Sequence, residues 1–208
     1  STCMFITFEG IEGCGKTTQI SLLTEALTRQ GFSCIATREP GGTAIGEAIR
    51  GIFLNCGNAD MLPVTELLLV TAARAQHVEQ VIRPALADGQ VVLCDRYLDS
   101  SLAYQGYGRG LGTDDIITLN VWATQCLFPD LTLFLDLDEA VRGTRLAAVP
   151  DRLEAEDEAF HQRVGRGFEE LLEQHPHRIR RVDATGIAAE VQARVQAVVE
   201  EELGLFSH

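Results

Sequence analysis

One stretch constrains this chain more than any other: Gly10-Ile11-Glu12-Gly13-Cys14-Gly15-Lys16-Thr17, which matches G-x-x-x-x-G-K-[ST]. Before it, Met4-Phe5-Ile6-Thr7-Phe8 is a short apolar, β-prone run; after it, Ile20, Leu22, Leu23, Ala26 and Leu27 recur at helical spacing. Strand, glycine-rich turn, helix is the context such a phosphate-binding loop requires. Gly10, Gly13 and Gly15 let the backbone adopt positive φ and approach a phosphate closely. Successive N–H groups then converge at the positive end of a helix dipole. Lys16 reaches the β and γ phosphates, and the Thr17 hydroxyl is placed to ligate Mg²⁺. The expected ATP site runs from Gly10 through Thr18. Lys16 is also the only lysine in the chain; every other cationic side chain is an arginine.

The rest of the chain alternates strands and helices. Phe32 to Thr37 reads as a second strand, and Thr43 opens a helix through Leu54 that buries Ile45, Ala48, Ile49 and Ile52. Pro63 suits a helix start, and Val64 to Arg83 is a long helical pattern ended by Pro84, Asp88 and Gly89. It is apolar on more than one face, and the extra face predicts a partner subunit or a bound base. Gln90 to Cys94 is a third strand, followed by Asp95-Arg96-Tyr97 and a turn rich in glycine (106, 108, 110 and 112). Thr113 to Leu127 is helical and Leu131 to Leu137 is a fourth strand. A helix over 139–147, a polar connection over 149–157 and a helix over 158–174 lead to a fifth strand, 178–183, and a closing helix, 188–203. Alternation of this kind predicts a three-layer α/β/α fold, a single domain over 1–208 of the P-loop NTPase type with a five-stranded parallel sheet. Ligands of such sheets sit beyond the carboxyl ends of the strands. The P-loop, Arg38 and Glu39, Asp95 and Arg96, and Asp138 all follow strand ends.

Net charge narrows the function. At −13 the chain lacks the basic face that broad nucleic-acid or membrane binding needs, so an anionic ligand must meet locally placed arginines. No signal peptide and no bilayer-length apolar run is found. The six cysteines have no C-x-x-C or metal-type spacing and read as thiols of a reducing cytoplasm. Asp95 follows an apolar strand, as does the acid that orders Mg²⁺ with the P-loop hydroxyl. Arginines fall in two groups: Arg38, Arg50, Arg74 and Arg96 before the fourth strand, Arg142, Arg145 and Arg152 after it. Phosphoryl transfer between two nucleotides needs two such groups, one to hold an acceptor phosphate in line and one to cover the charge on the transferred group.

Arg38-Glu39-Pro40-Gly41-Gly42, Asp95-Arg96-Tyr97 and Ala103-Tyr104-Gln105-Gly106, with the P-loop, closely resemble bacterial thymidylate kinases. Ala72-Ala73-Arg74, Pro129-Asp130-Leu131-Thr132 and Asp183-Ala184-Thr185 fit as well, so the resemblance covers nearly the whole chain. It implies an enzyme that phosphorylates dTMP to dTDP with ATP and Mg²⁺, in dTTP biosynthesis, as a cytoplasmic homodimer through the 64–83 helix. It places Glu12 near the sugar 3′-hydroxyl and Glu39 near the acceptor and metal. Arg50 and Arg96 match the clamp on the dTMP phosphate, and Arg74 the reader of thymine O4. Ser101 and Gln105 match further base contacts, and Tyr104 a ring against the deoxyribose. Residues 142–156 match the lid over ATP, which adds Arg142 to the expected ATP site. Where many relatives stack a Phe on thymine, this chain has Val70. The P-loop holds no arginine of its own, which moves the catalytic guanidinium to the lid: Arg152 first, Arg145 second. Catalysis is thus expected from Lys16, Arg96, Arg152, Arg145 and Glu39, and the metal site from Thr17 and Asp95.

Two other readings compete. A deoxynucleoside kinase would use Glu39 as general base on a sugar hydroxyl; Asp95-Arg96-Tyr97 argues against it. A non-catalytic nucleotide-binding module would leave the acceptor-side arginines without a purpose. A guanine-reading N-K-x-D motif is impossible, since the one lysine already lies in the P-loop.

Overall fold

Five apolar runs pair into one parallel sheet: β1 (Met4–Glu9), β2 (Cys34–Arg38), β3 (Val91–Asp95), β4 (Leu131–Asp136) and β5 (Ile179–Asp183). The computed structural model describes residues 3–142 and 149–206. The strand order is β2-β3-β1-β4-β5. The P-loop strand is therefore central, and the topology switches direction at its two neighbours, which is where such sheets open a ligand crevice. Register sets Arg38 beside Asp95 and Asp95 beside Phe8. The loops leaving β1, β2 and β3 thus start at one level, and their polar residues share one edge.

Alternation along the strands divides the core in two. Ile6, Phe8, Leu93 and Leu133 pack under α1 (Lys16–Arg29) and α9 (Ala188–Leu203). Phe5, Val92, Cys94 and Phe134 face the other way, with Tyr97, Tyr104, Phe160 and Phe168. Sheet residues buried on both faces give the three expected layers. On the second side lie α2 (Ala44–Leu54), α3 (Pro63–His77), α4 (Arg83–Ala87), α5 (Leu98–Ser101), α6 (Thr113–Thr124) and α8 (Glu158–Gln174); the short α7 (Glu139–Arg142) follows β4. No helix among the described residues is long and apolar enough to cross a membrane.

Three expectations are corrected. Pro84 does not end the long helix: a wide π turn, Val78–Ile82, intervenes and the helix resumes as α4. Pro84 stands in the first turn of that resumed helix, where its missing N–H goes unneeded. Of the expected glycine-rich turn, Gly110 and Gly112 do lie in irregular chain, but Gly106 and Gly108 belong to a π-helical segment, Leu102–Gly108, packed on α8. Gly108 permits that approach, since a Cβ there would lie 2.7 Å from the Phe160 ring. Finally, Ile45, Ala48 and Ile52 of α2 are exposed and Ile49 is only half-buried; Val64 and Leu68 of α3, the helix on which α2 packs, are exposed as well.

Candidate active site

Above the carboxyl ends of β1, β2 and β3 lies a cleft of about 1410 Å³. That exceeds the ~300–1,000 Å³ of an ordinary single-ligand pocket. The P-loop forms one end. Gly10 takes φ +142° with its Cα pressed to β4, where a Cβ would stand 2.7 Å from the Leu135 carbonyl oxygen. Gly15, left-handed at φ +93°, opens α1. Ile11, Glu12, Gly13, Gly15, Lys16, Thr17 and Thr18 line the cleft. Gly10 and Cys14 lie behind them, and the Cys14 thiol is part of the core. Lys16 folds along the loop, its Nζ donating to the Gly10 carbonyl at 3.1 Å. Thr17 Oγ1 donates to Asp95 Oδ2 at 3.4 Å. A hydroxyl and a carboxylate so close form the hard-oxygen pair that Mg²⁺ accepts, so these two residues fit the ion.

Arg96 stands in the middle of the cleft on strained backbone, at φ +70°. Its Nη2 donates to Glu12 Oε1 at 2.7 Å and its Nη1 to Ser100 Oγ at 3.0 Å, and its guanidinium lies 5.1 Å from the Tyr104 ring centre. The Arg96 charge, helped by Lys16, holds the Glu12 carboxyl down at about 2 despite its burial. Arg50 reaches the same cleft and donates from Nη1 to the Pro40 carbonyl at 3.0 Å.

At the far end Arg74 is fully buried. Nε donates to Glu39 Oε1 at 2.6 Å, and Nη1 donates to Ser101 Oγ at 2.9 Å and Asn120 Oδ1 at 2.7 Å. Its Nη2 is buried with no partner among the described residues. Val70, one helical turn earlier, lines the same end with Ser101, Tyr104 and Gln105. Glu39 has both oxygens engaged, the second by His77 Nδ1 at 2.7 Å. Burial raises its carboxyl, but the Arg74 charge and the His77 contact outweigh burial and hold it below the ordinary carboxylate value. Glu39, His77 and Cys94 do bring three potential ligand atoms within 4.8 Å. With Glu39 committed and burial holding the Cys94 thiol protonated, that cluster is closed to a cation.

Two expected residues lie elsewhere. Arg152 does not line the cleft, although Asp151, Leu153 and Glu154 do. It is buried, with Nη1 on Glu66 Oε2 at 2.7 Å, Nε donating to the Phe53 carbonyl at 2.8 Å, and its guanidinium 5.4 Å from the Phe53 ring centre. Its Nη2, like that of Arg74, is buried with no partner among the described residues. Asp138 caps α7, accepting from the Ala140 N–H at 2.9 Å. Arg145 lies outside the described residues, as does the side chain of Arg142.

The buried acids Glu9 and Glu66, with His77 and Asn120, escaped the sequence reading. Glu66, Arg74 and His77 are polar residues on one face of an otherwise apolar helix, and that spacing was the available signal. Glu9 ends β1 under the clamp: it accepts from Tyr97 N at 2.8 Å and Ser100 N at 3.2 Å, fixing the turn that carries Arg96. Burial, then the charge of Asp99, pushes Glu9 up to about 7. A carboxyl that holds its proton more tightly folded than unfolded favours folding in acid, and that contribution is lost as pH rises. Glu9→Gln is expected to flatten the pH dependence of unfolding free energy between pH 4.5 and 7, measured by urea unfolding across that range. An unchanged slope would refute the shift.

A P-loop with a hydroxyl–carboxylate pair at one end, guanidiniums in the middle and a buried donor at the other, in a cleft larger than one ligand needs, are the parts of a P-loop phosphotransferase. The family model described as thymidylate kinase matches residues 8–195. The chain belongs to the thymidylate kinase family, whose members are nucleoside monophosphate kinases. It is 54% identical to a thymidylate kinase of Synechococcus sp. (strain JA-3-3Ab), over 96% of this chain and 97% of that one. It is 47% identical to one from Bacillus licheniformis, over 96% of each. A solved thymidylate kinase from Ehrlichia chaffeensis superposes with a TM-score of 0.80 at 33% identity, covering 96% of this chain and 99% of that one.

Proposed function

We propose that the chain transfers the γ-phosphoryl group of ATP to dTMP, giving ADP and dTDP on the route to dTTP. The observation that carries this is a single cleft joining the P-loop to the buried, unpartnered Nη2 of Arg74. Lys16 and the loop N–H groups hold the donor phosphates. Thr17 and Asp95 would hold Mg²⁺, which would supply positive charge there. Arg50 and Arg96 align the acceptor phosphate, which is already ionised at neutral pH and needs no general base. Arg74, Ser101 and Gln105 read the base, Val70 packs on its face and Tyr104 on the sugar. Glu39 serves by fixing Arg74 and His77. Because its oxygens are both engaged and its carboxyl is held low, it makes a poor general base, which disfavours a deoxynucleoside kinase. With Arg152 committed to Glu66, the guanidinium that caps the transferred group is Arg145, in a lid over 142–156. The test is ADP release with ATP-Mg²⁺ and a panel of nucleosides and monophosphates. Turnover with dTMP and none with thymidine is expected; the reverse would overturn the reading.

The chain works as a homodimer. Val64, Leu68 and Ala72 form an exposed stripe at i, i+4, i+8 on α3, and Ile45 and Ile52 of the adjoining α2 extend it. Such a patch is costly to leave wet. Leu68→Glu is expected to give a monomer by sedimentation; a wild-type monomer at micromolar concentration would end the idea. The six free thiols suit a reducing cytoplasm.

A further inference from the structure

Glu66 sits on α3 two turns before Arg74, fully buried and behind the cleft wall. Its Oε2 pairs with Arg152 Nη1 at 2.7 Å and Arg109 Nη2 at 3.0 Å. Its Oε1 accepts from Gln105 Nε2 at 2.7 Å. A carboxylate paired with two guanidiniums only accepts hydrogen bonds. The Gln105 amide therefore has one permitted orientation, because turned over it would set two oxygens against each other at that distance. With its nitrogen drawn back to Glu66, Gln105 leaves its carbonyl oxygen to the cleft it lines, and no described residue donates to that oxygen. Arg74 Nη2 is its complement, a donor without an acceptor.

We propose that Glu66 is a specificity-determining positioning residue: by holding the Gln105 amide one way round, it presents the base with an acceptor beside the Arg74 donor. That pair matches the N3–H and O4 of thymine or uracil. Against cytosine it sets oxygen on N3 and N–H on the 4-amino group, so both contacts are repulsive. The inference rests on the reading of Arg74 and Gln105 as base contacts.

Glu66→Gln inverts the arrangement. The new amide oxygen takes Arg152 and Arg109, its NH₂ faces Gln105, and Gln105 turns its own NH₂ to the cleft. One of the two clashes with cytosine is relieved and one contact with thymine is spoiled. The measurement is kcat/KM for dTMP divided by kcat/KM for dCMP. In Glu66→Gln this ratio is expected to fall by about tenfold to a hundredfold, while Arg109→Met, which breaks an ion pair but leaves the Gln105 amide in place, keeps it. If Glu66→Gln does not fold, the double variant Glu66→Gln/Arg152→Met, in which the one guanidinium left at the lost charge, Arg109, keeps its second partner Glu156, carries the same test. Gln105→Ala separates the two levels of the argument. If it lowers the ratio and folded Glu66→Gln does not, Glu66 has no such role although Gln105 does read the base. If Gln105→Ala leaves the ratio unchanged, the base-contact reading fails and takes the proposal with it. An equal fall in Arg109→Met would assign the effect to lost buried charge and also overturn it.

Discussion

Lys16→Ala is expected to lower kcat with dTMP by about 10²–10³-fold, the usual cost of removing one preorganised charge from a developing anion. The KM for dTMP should change little, because Lys16 sits at the P-loop end and Arg74 at the other. The fold should survive: among the described residues Nζ donates to the Gly10 carbonyl and, at 3.7 Å, to the Cys14 sulfur, and neither bond joins separate elements. No other lysine exists to substitute, and Arg96, the guanidinium in the middle of the cleft, is already tied to Glu12 and Ser100. Steady-state kinetics with thermal unfolding as a control decides the matter. Unchanged turnover in a folded variant would mean that the P-loop is not the donor site.

Arg74→Leu is expected to damage both stability and turnover. Arg74 is the strong partner of Glu39, so its loss leaves a buried carboxylate with His77 alone, which costs about 3–5 kcal/mol. The sign with pH follows from Glu39. In the wild type its carboxyl is held low, so its contribution is present at neutral pH and lost as pH falls through that lowered value. Without Arg74, burial dominates and the carboxyl rises, so the deficit should be largest at neutral pH and shrink in acid. Adding Glu39→Gln removes the stranded charge and should restore most of the stability. It should not restore dTMP use, for which the loss of a charged hydrogen bond to the base predicts a roughly ten- to hundredfold fall in kcat/KM. Chemical denaturation and kinetics on the single and double variants separate the two effects. Turnover rescued together with stability would make Arg74 purely structural.

What was legible locally held well. The P-loop, the strand before it and the helix after it were all visible as residue types at fixed spacing, because a backbone that must curl around a phosphate tolerates few alternatives. Strand and helix periodicity gave the parallel sheet for the same reason: each element must bury one face or both. Gly106 and Gly108 misled because glycines usually punctuate turns, whereas here Gly108 lets a π-helical segment press against α8. Ile45 and Ile52 misled because amphipathic spacing says which face is apolar and not which neighbour covers it.

Arginine pairing was beyond the sequence. Arg74, Arg96 and Arg152 look alike as letters, each beside plausible motif residues. By itself the sequence determined the phosphate loop, the sheet and the family resemblance, all of which depend on short-range spacing. Tertiary structure alone decided that Arg152 pairs with Glu66 outside the cleft, that Arg74 pairs with Glu39 and keeps Nη2 without a partner among the described residues, and that Gln105 gives its Nε2 to Glu66. Those outcomes depend on which buried charges from separate elements come within about 3 Å of one another. At that range, in a low-dielectric interior, a shift of one side chain changes which group is left without a partner.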